Sequence, residues 1–119
     1  MEDLPLEALE QVAHYFQALS DPTRLRILTL LQGGERNVGE LAQLCDFTSA
    51  NISRHLALLS KHGLVARTSR GTSVYYRIAD ESVHALCDLV CGSIARQFEQ
   101  TALARHPFML AQKSSQAKK

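Results

Sequence analysis

RNVGELAQLCDFTSANISRHLALLSKHGLVARTSRGTSVYYRIA, residues 36–79, contains two helix starts, a tight stop and then a change of hydrophobic period. Asn37 followed three residues later by Glu40 has the pattern of a capping box, with Asn in the place of Ser or Thr. It opens a short helix that carries Leu41 and Leu44 and ends near Cys45 and Asp46. Thr48 is a natural cap for a second helix, in which Ile52, Leu56 and Leu59 recur on one side before His62 and Gly63 stop it. From Leu64 the period shortens. Leu64–Arg67 and Ser73–Ile78 are rich in β-branched and aromatic residues and are separated by Ser69-Arg70-Gly71-Thr72, which reads as a hairpin with its tip at Arg67–Thr72.

Upstream, Leu9, Val12, Ala13, Phe16 and Leu19 have helical spacing over Leu6–Leu19. Asp21 can cap and Pro22 can begin a second helix, whose Leu25, Leu28 and Leu31 form a stripe before Gly33 and Gly34. Downstream, Val83, Leu86, Val90, Ile94 and Phe98 predict a long helix from Asp80 to about Leu103. The expected fold is mainly α with a β-hairpin wing. In order it runs helix, helix, helix, helix, strand, strand, helix, which is a winged helix-turn-helix. Residues 1–106 form one domain for DNA binding and dimerisation, and 107–119, ending in KSSQAKK, a polar basic tail expected to be disordered.

Composition narrows the class of protein. A chain of 119 residues, 45% hydrophobic, suits a single domain. It has no run of about 18 apolar residues, and its start, MEDLPLEALEQ, is acidic where a signal peptide is basic and then apolar. The expectation is a cytoplasmic protein with no membrane partner. Three cysteines without an export signal argue against a disulfide framework. Net charge is only +1, but from Phe47 to Ala79 there is no Asp or Glu, while Arg54, Lys61, Arg67, Arg70 and Arg77 are all present.

If Ile52, Leu56 and Leu59 face a core, the opposite side of that helix carries Ala50, Ser53, Arg54, Ala57 and Lys61. Small residues allow a helix to approach base edges, Arg can pair with guanine, and Ser or Asn can reach phosphates or bases. Thr48, Ser49, Ala50, Asn51, Ser53, Arg54, His55 and Lys61 are therefore the candidate DNA contacts of the helix. Arg67, Arg70 and Thr72 are those of the hairpin. A solvated basic face with no partner is the alternative on composition alone.

Four segments in this order, LSDPTRLRILTLL, ELAQLC, NISRHLALLSKHGLV and RGTSVYYRIAD, resemble the ArsR/SmtB family of bacterial repressors over roughly residues 6–103. The resemblance implies a homodimer built by the first and last helices, recognition of a palindromic double-stranded operator, and derepression when an inducer binds. The family's zinc site on the last helix would fall on Asp80, Ser82, Ser93 and Arg96, of which only Asp80 keeps a ligand. Its Cys-x-Cys arsenic motif is absent from Glu40–Leu44.

Cys87 and Cys91 lie one helical turn apart, with His84 on the same side. Two thiolates with His84, or with Cys45, could hold arsenite, antimonite or another thiophilic metal ion as inducer. Ordinary packing of both cysteines, thiol-redox sensing, and a repressor with no ligand stay open beside that reading; Cys45 alone reads as a core residue. No nucleophile with a base and an orienting acid can be placed on adjacent turns, so an enzyme is not expected. A winged helix serving as a protein-interaction module would need an exposed apolar groove where Ser49–Lys61 offers small and cationic groups.

Overall fold

The structure is a computed structural model that describes residues 3–100 and residue 107. Its elements are α1 (Leu6–Leu19), α2 (Pro22–Leu31), β1 (Arg36–Asn37), α3 (Val38–Cys45), α4 (Ser49–Lys61), β2 (Val65–Arg70), β3 (Ser73–Ile78) and α5 (Ser82–Glu99). They form the expected winged helix-turn-helix. The chain divides into two compact units, Met1–Asp80 and Glu81–Lys119, where one domain over 1–106 was expected. The winged helix-turn-helix lies in the first unit and α5 in the second. Apart from Pro107, the expected tail lies outside the described residues.

Three helices of the first unit begin where a side-chain oxygen meets an amide that has no partner within the helix. The Asp21 carboxylate accepts from the Arg24 amide at 3.0 Å, and Thr48 Oγ1 from the Asn51 amide at 3.1 Å. The predicted capping box is complete: Asn37 Oδ1 accepts from the Glu40 amide at 2.8 Å and Glu40 Oε1 from the Asn37 amide at 2.9 Å. Each such cap stabilises its helix by about 1 kcal/mol. The stops are equally local. The Leu64 amide donates to the Leu59 carbonyl and the Gly63 amide to that of Ser60, the paired bonds of a Schellman motif, with Gly63 at φ +75°.

Ile27, Leu28 and Leu31 of α2, Leu41, Ala42 and Cys45 of α3, Ile52, Leu56 and Leu59 of α4, and Leu64 and Val65 make the core of this unit. Not every residue of the apolar stripes turns inward: Leu9, Phe16, Leu25 and Leu44 are 38%, 48%, 40% and 43% exposed. Ile27 and Leu31 centre the buried face of α2, and Leu41, Ala42 and Cys45 that of α3. Leu25 and Leu44 each lie roughly a third of a turn away.

The hairpin also departs from expectation. β2 continues to Arg70, which pairs with Ser73, so the turn is only Gly71-Thr72. Gly71 has φ +61° and Thr72 does not share that sign, the pattern of a type II′ turn. Arg67 consequently sits within β2, opposite Tyr76, and not at the tip. A third strand was not foreseen. β1 pairs antiparallel with β3, Arg36 opposite Tyr76 and Asn37 opposite Tyr75, giving the sheet order β1-β3-β2. In the second unit α5 begins at Ser82, two residues later than expected, with Val83 and Ala95 buried.

Candidate nucleic-acid interface

One face of α4 is sealed in the core and the other is open. Ile52, Leu56 and Leu59 are fully buried, whereas Ala50, Ser53, Arg54, Ala57 and Lys61 are all exposed. This is the division that the apolar spacing predicts. Thr48 and Ser49 are exposed at the start of the helix and Asn51 is half-buried. The first turn of α4 offers amides and the positive end of the helix dipole, which favour a phosphate. Among the described residues neither Arg54 nor Lys61 has an ion-pair or hydrogen-bond partner. The exposed cations of α4 are therefore not committed to other groups among the described residues.

His55 differs from the other candidates on this helix. Its Nδ1 is 3.3 Å from Arg24 Nη1 and 4.0 Å from Asp21 Oδ2, so it faces the start of α2. Arg24 is itself fixed by donating from Nε to the Ala18 carbonyl at 2.7 Å and from Nη2 to that of Gln17 at 3.3 Å. The Asp21 carboxyl is held below the usual carboxylate range, first by the hydrogen bond from the Arg24 amide and, against partial desolvation, also by the charge of Arg24. Asp21 was read from sequence only as a helix cap, and Arg24 was not singled out. The reach of Arg24 to His55 across 31 residues carries no local signal.

The wing presents a mixed picture. Arg67 and Thr72 are exposed, and Arg67 has no partner among the described residues. Arg70 is exposed as well, but its Nη2 donates to Glu35 Oε1 at 2.7 Å and its guanidinium lies 5.2 Å from the centre of the Tyr75 ring. Arg77 donates to Thr68 Oγ1 at 2.9 Å across the hairpin. Glu35 was not among the candidates, because its link to Arg70 needs the sheet to bring the two together.

None of the three thiols is on α4 or the hairpin. Cys45 is buried in the first unit, as its reading as a core residue requires. Cys87 and Cys91 are free and half-buried on α5. Burial raises the Cys87 thiol above its ordinary value, helped by the charges of Cys91 and Asp88, so Cys87 is a neutral thiol near pH 7. Among the described residues no three His, Cys, Asp or Glu side chains are gathered closely enough to hold a metal ion. No described helix is long and apolar enough to cross a membrane.

Known proteins share this arrangement. A helix-turn-helix domain family matches residues 19–68. The transcriptional regulator CmtR of Mycobacterium bovis is 39% identical over 94 residues, covering 78% of this chain and 80% of that protein. The transcriptional repressor SmtB homolog of Synechocystis is 35% identical over 82 residues, 69% of this chain and 62% of that one. Among solved structures, the homodimeric winged helix-turn-helix DNA-binding domain of Mb0332 from Mycobacterium bovis, described as a possible ArsR-family regulator, has a TM-score of 0.73 at 35% identity. It covers 86% of this chain and 97% of that one.

Proposed function

The chain belongs to the ArsR/SmtB family of winged-helix transcriptional regulators, and on that premise we propose that it is a homodimeric repressor of a palindromic operator, released by a thiophilic inducer. The observation that carries the DNA half is the open face of α4. Small side chains border two uncommitted cations, and no carboxylate occurs between Phe47 and Ala79. Seated in a major groove, this face brings Arg54 to base edges, with Ser49, Asn51 and Ser53 at bases or phosphates. Arg67, Arg70 and Thr72 follow the backbone beside it.

Dimerisation is supported by apolar side chains left on the surface: Leu6 and Phe16 of α1 are 68% and 48% exposed, and Leu89 of α5 is 71% exposed. It is supported also by the homodimeric state of the Mb0332 domain. The protein acts in the cytoplasm, where its DNA is.

For the inducer, Cys87 and Cys91 are spaced one turn apart, so both sulfurs can reach one soft ion. Arsenite suits them because each thiol can displace a hydroxide of neutral As(OH)3 and release water. A raised thiol pKa is then no obstacle. The same raised pKa disfavours oxidative sensing, and a disulfide along one helix would have to close a Cβ separation of about 5–6 Å to about 3.8 Å. The third ligand is His84 or Cys45, from the same chain or from the partner subunit.

The test is fluorescence anisotropy of the reduced protein on DNA from upstream of its own gene, at fixed salt because phosphate contacts make affinity salt-dependent. The expected result is tight binding that arsenite abolishes in the wild type but not in Cys87→Ser. Absence of DNA binding overturns the repressor. DNA binding that arsenite leaves unchanged overturns the thiol inducer alone.

A further inference from the structure

A cleft of about 510 Å³ opens in the first unit between the ends of α1 and α4 and the start of α2. Its wall includes His14 and Gln17 of α1, Arg24 of α2, Leu58 and Lys61 of α4, and His62 just after α4. The volume falls in the range of about 300–1,000 Å³ usual for small-molecule sites. No Asp or Glu lines it, while an arginine, a lysine and two histidines do. The imidazoles of His14 and His62 lie with their centres 6.3 Å apart, tilted by 42°.

Two helices end at this cleft, and a helix end carries negative partial charge that basic residues often neutralise. Here that demand is already met. Arg24 donates to the Gln17 and Ala18 carbonyls at the end of α1. The Schellman bonds from the Gly63 and Leu64 amides close the end of α4, and the His62 amide donates to the Leu58 carbonyl. Lys61, His14 and His62 make no ion pair among the described residues. They are left to a ligand. The neighbouring guanidinium and ammonium repel a cation, and two imidazoles are the only metal-binding groups in the wall. Leu58 and Ala18 supply apolar lining, and the volume of the cleft exceeds what an inorganic anion fills.

We propose that this cleft binds a small organic anion, a carboxylate carried on a flat apolar body, with Lys61 and the two imidazoles around the charge and Leu58 beneath the body. Leu58 and Lys61 belong to α4 and His62 is its C-cap, so such a ligand ties the recognition helix to α1. This is an input to DNA affinity separate from the thiols of α5.

The test uses the full chain without DNA, so its outcome does not depend on the repressor reading. Histidine side-chain NMR signals are followed while sodium benzoate, and in a second arm sodium phosphate, is added at constant pH and ionic strength. The expected result is saturable benzoate shifts at His14 and His62, with affinity at least tenfold weaker in His14→Gln and in His62→Gln, both verified as folded by circular dichroism. Shifts that fail to saturate, that move all five histidines alike, or that persist in both variants overturn the proposal. Phosphate binding as tightly as benzoate overturns the organic-anion assignment.

Discussion

Arg24 Nη1 lies 3.3 Å from His55 Nδ1. A guanidinium can only donate, so this ring nitrogen accepts and the imidazole proton resides on Nε2. A residue at the start of α2 thus fixes the tautomer of a residue on the recognition helix, and joins α1, α2 and α4 through one side chain.

Arg24→Lys removes that fork but keeps the charge. The variant should lose about 1–3 kcal/mol of stability in urea unfolding, since the Ala18 and Gln17 carbonyls also lose their donor. The His55 nitrogen NMR shifts should move from a pure Nε2–H form towards a mixture of tautomers. An unchanged tautomer would show that Arg24 does not set it.

Asp21 gives a pH dependence with a definite sign. Its folded pKa lies below the unfolded value of about 3.9. The stability it contributes is therefore present above pH about 4 and is lost as pH falls through the folded value. Asp21→Ala should cost about 0.5–2 kcal/mol at pH 7. Asp21→Asn should retain the cap while flattening the acid limb of the stability curve, as read by thermal melts between pH 2 and 7.

Glu35 holds Arg70, a side chain that the proposed operator would claim. The pair is exposed, at 57% and 31%, so breaking it should change fold stability by no more than about 1 kcal/mol. Glu35→Gln should tighten operator binding roughly two- to fivefold, an effect that rests on the same order of energy. Weaker binding would mean that the ion pair holds the wing in its binding shape.

Arg54 is exposed and uncommitted, so Arg54→Ala should leave urea stability unchanged while weakening specific binding by about 1–3 kcal/mol. Equal loss on operator and random DNA would assign Arg54 to a phosphate and not to a base.

Cys87 should alkylate with iodoacetamide along a pH profile displaced above that of a free cysteine, because burial, and then Cys91 and Asp88, disfavour its thiolate. Cys91→Ser should shift the profile part of the way back. Full return would mean that the neighbouring thiol and not burial is the main cause.

Much of the winged helix-turn-helix was legible because its signals are local. Asn37 with Glu40, Thr48, Gly63 and the spacing of Ile52, Leu56 and Leu59 each act within about one helical turn. What escaped notice depends on distant partners. β1 is two residues long, too short to show a period, and exists only because β3 lies beside it. Leu25 and Leu44 fit a leucine stripe, yet three helices packed together centre their buried faces elsewhere. The open face of α4 followed from the period alone. The occupation of His55 by Arg24 and of Arg70 by Glu35 did not, since each joins residues more than thirty positions apart.

Asn37 has two duties: its side chain starts α3, and its backbone belongs to β1, opposite Tyr75 in the middle strand of the sheet. The wing is therefore joined through one residue to α3, which packs against the reading helix, and on the proposed function the gap between helix and wing works like a caliper. Such a tool measures as well as reads. Duplexes whose grooves do not match the jaws must deform to fit, at a cost that depends on how stiff each sequence is. Selectivity should then extend to base pairs that no side chain touches.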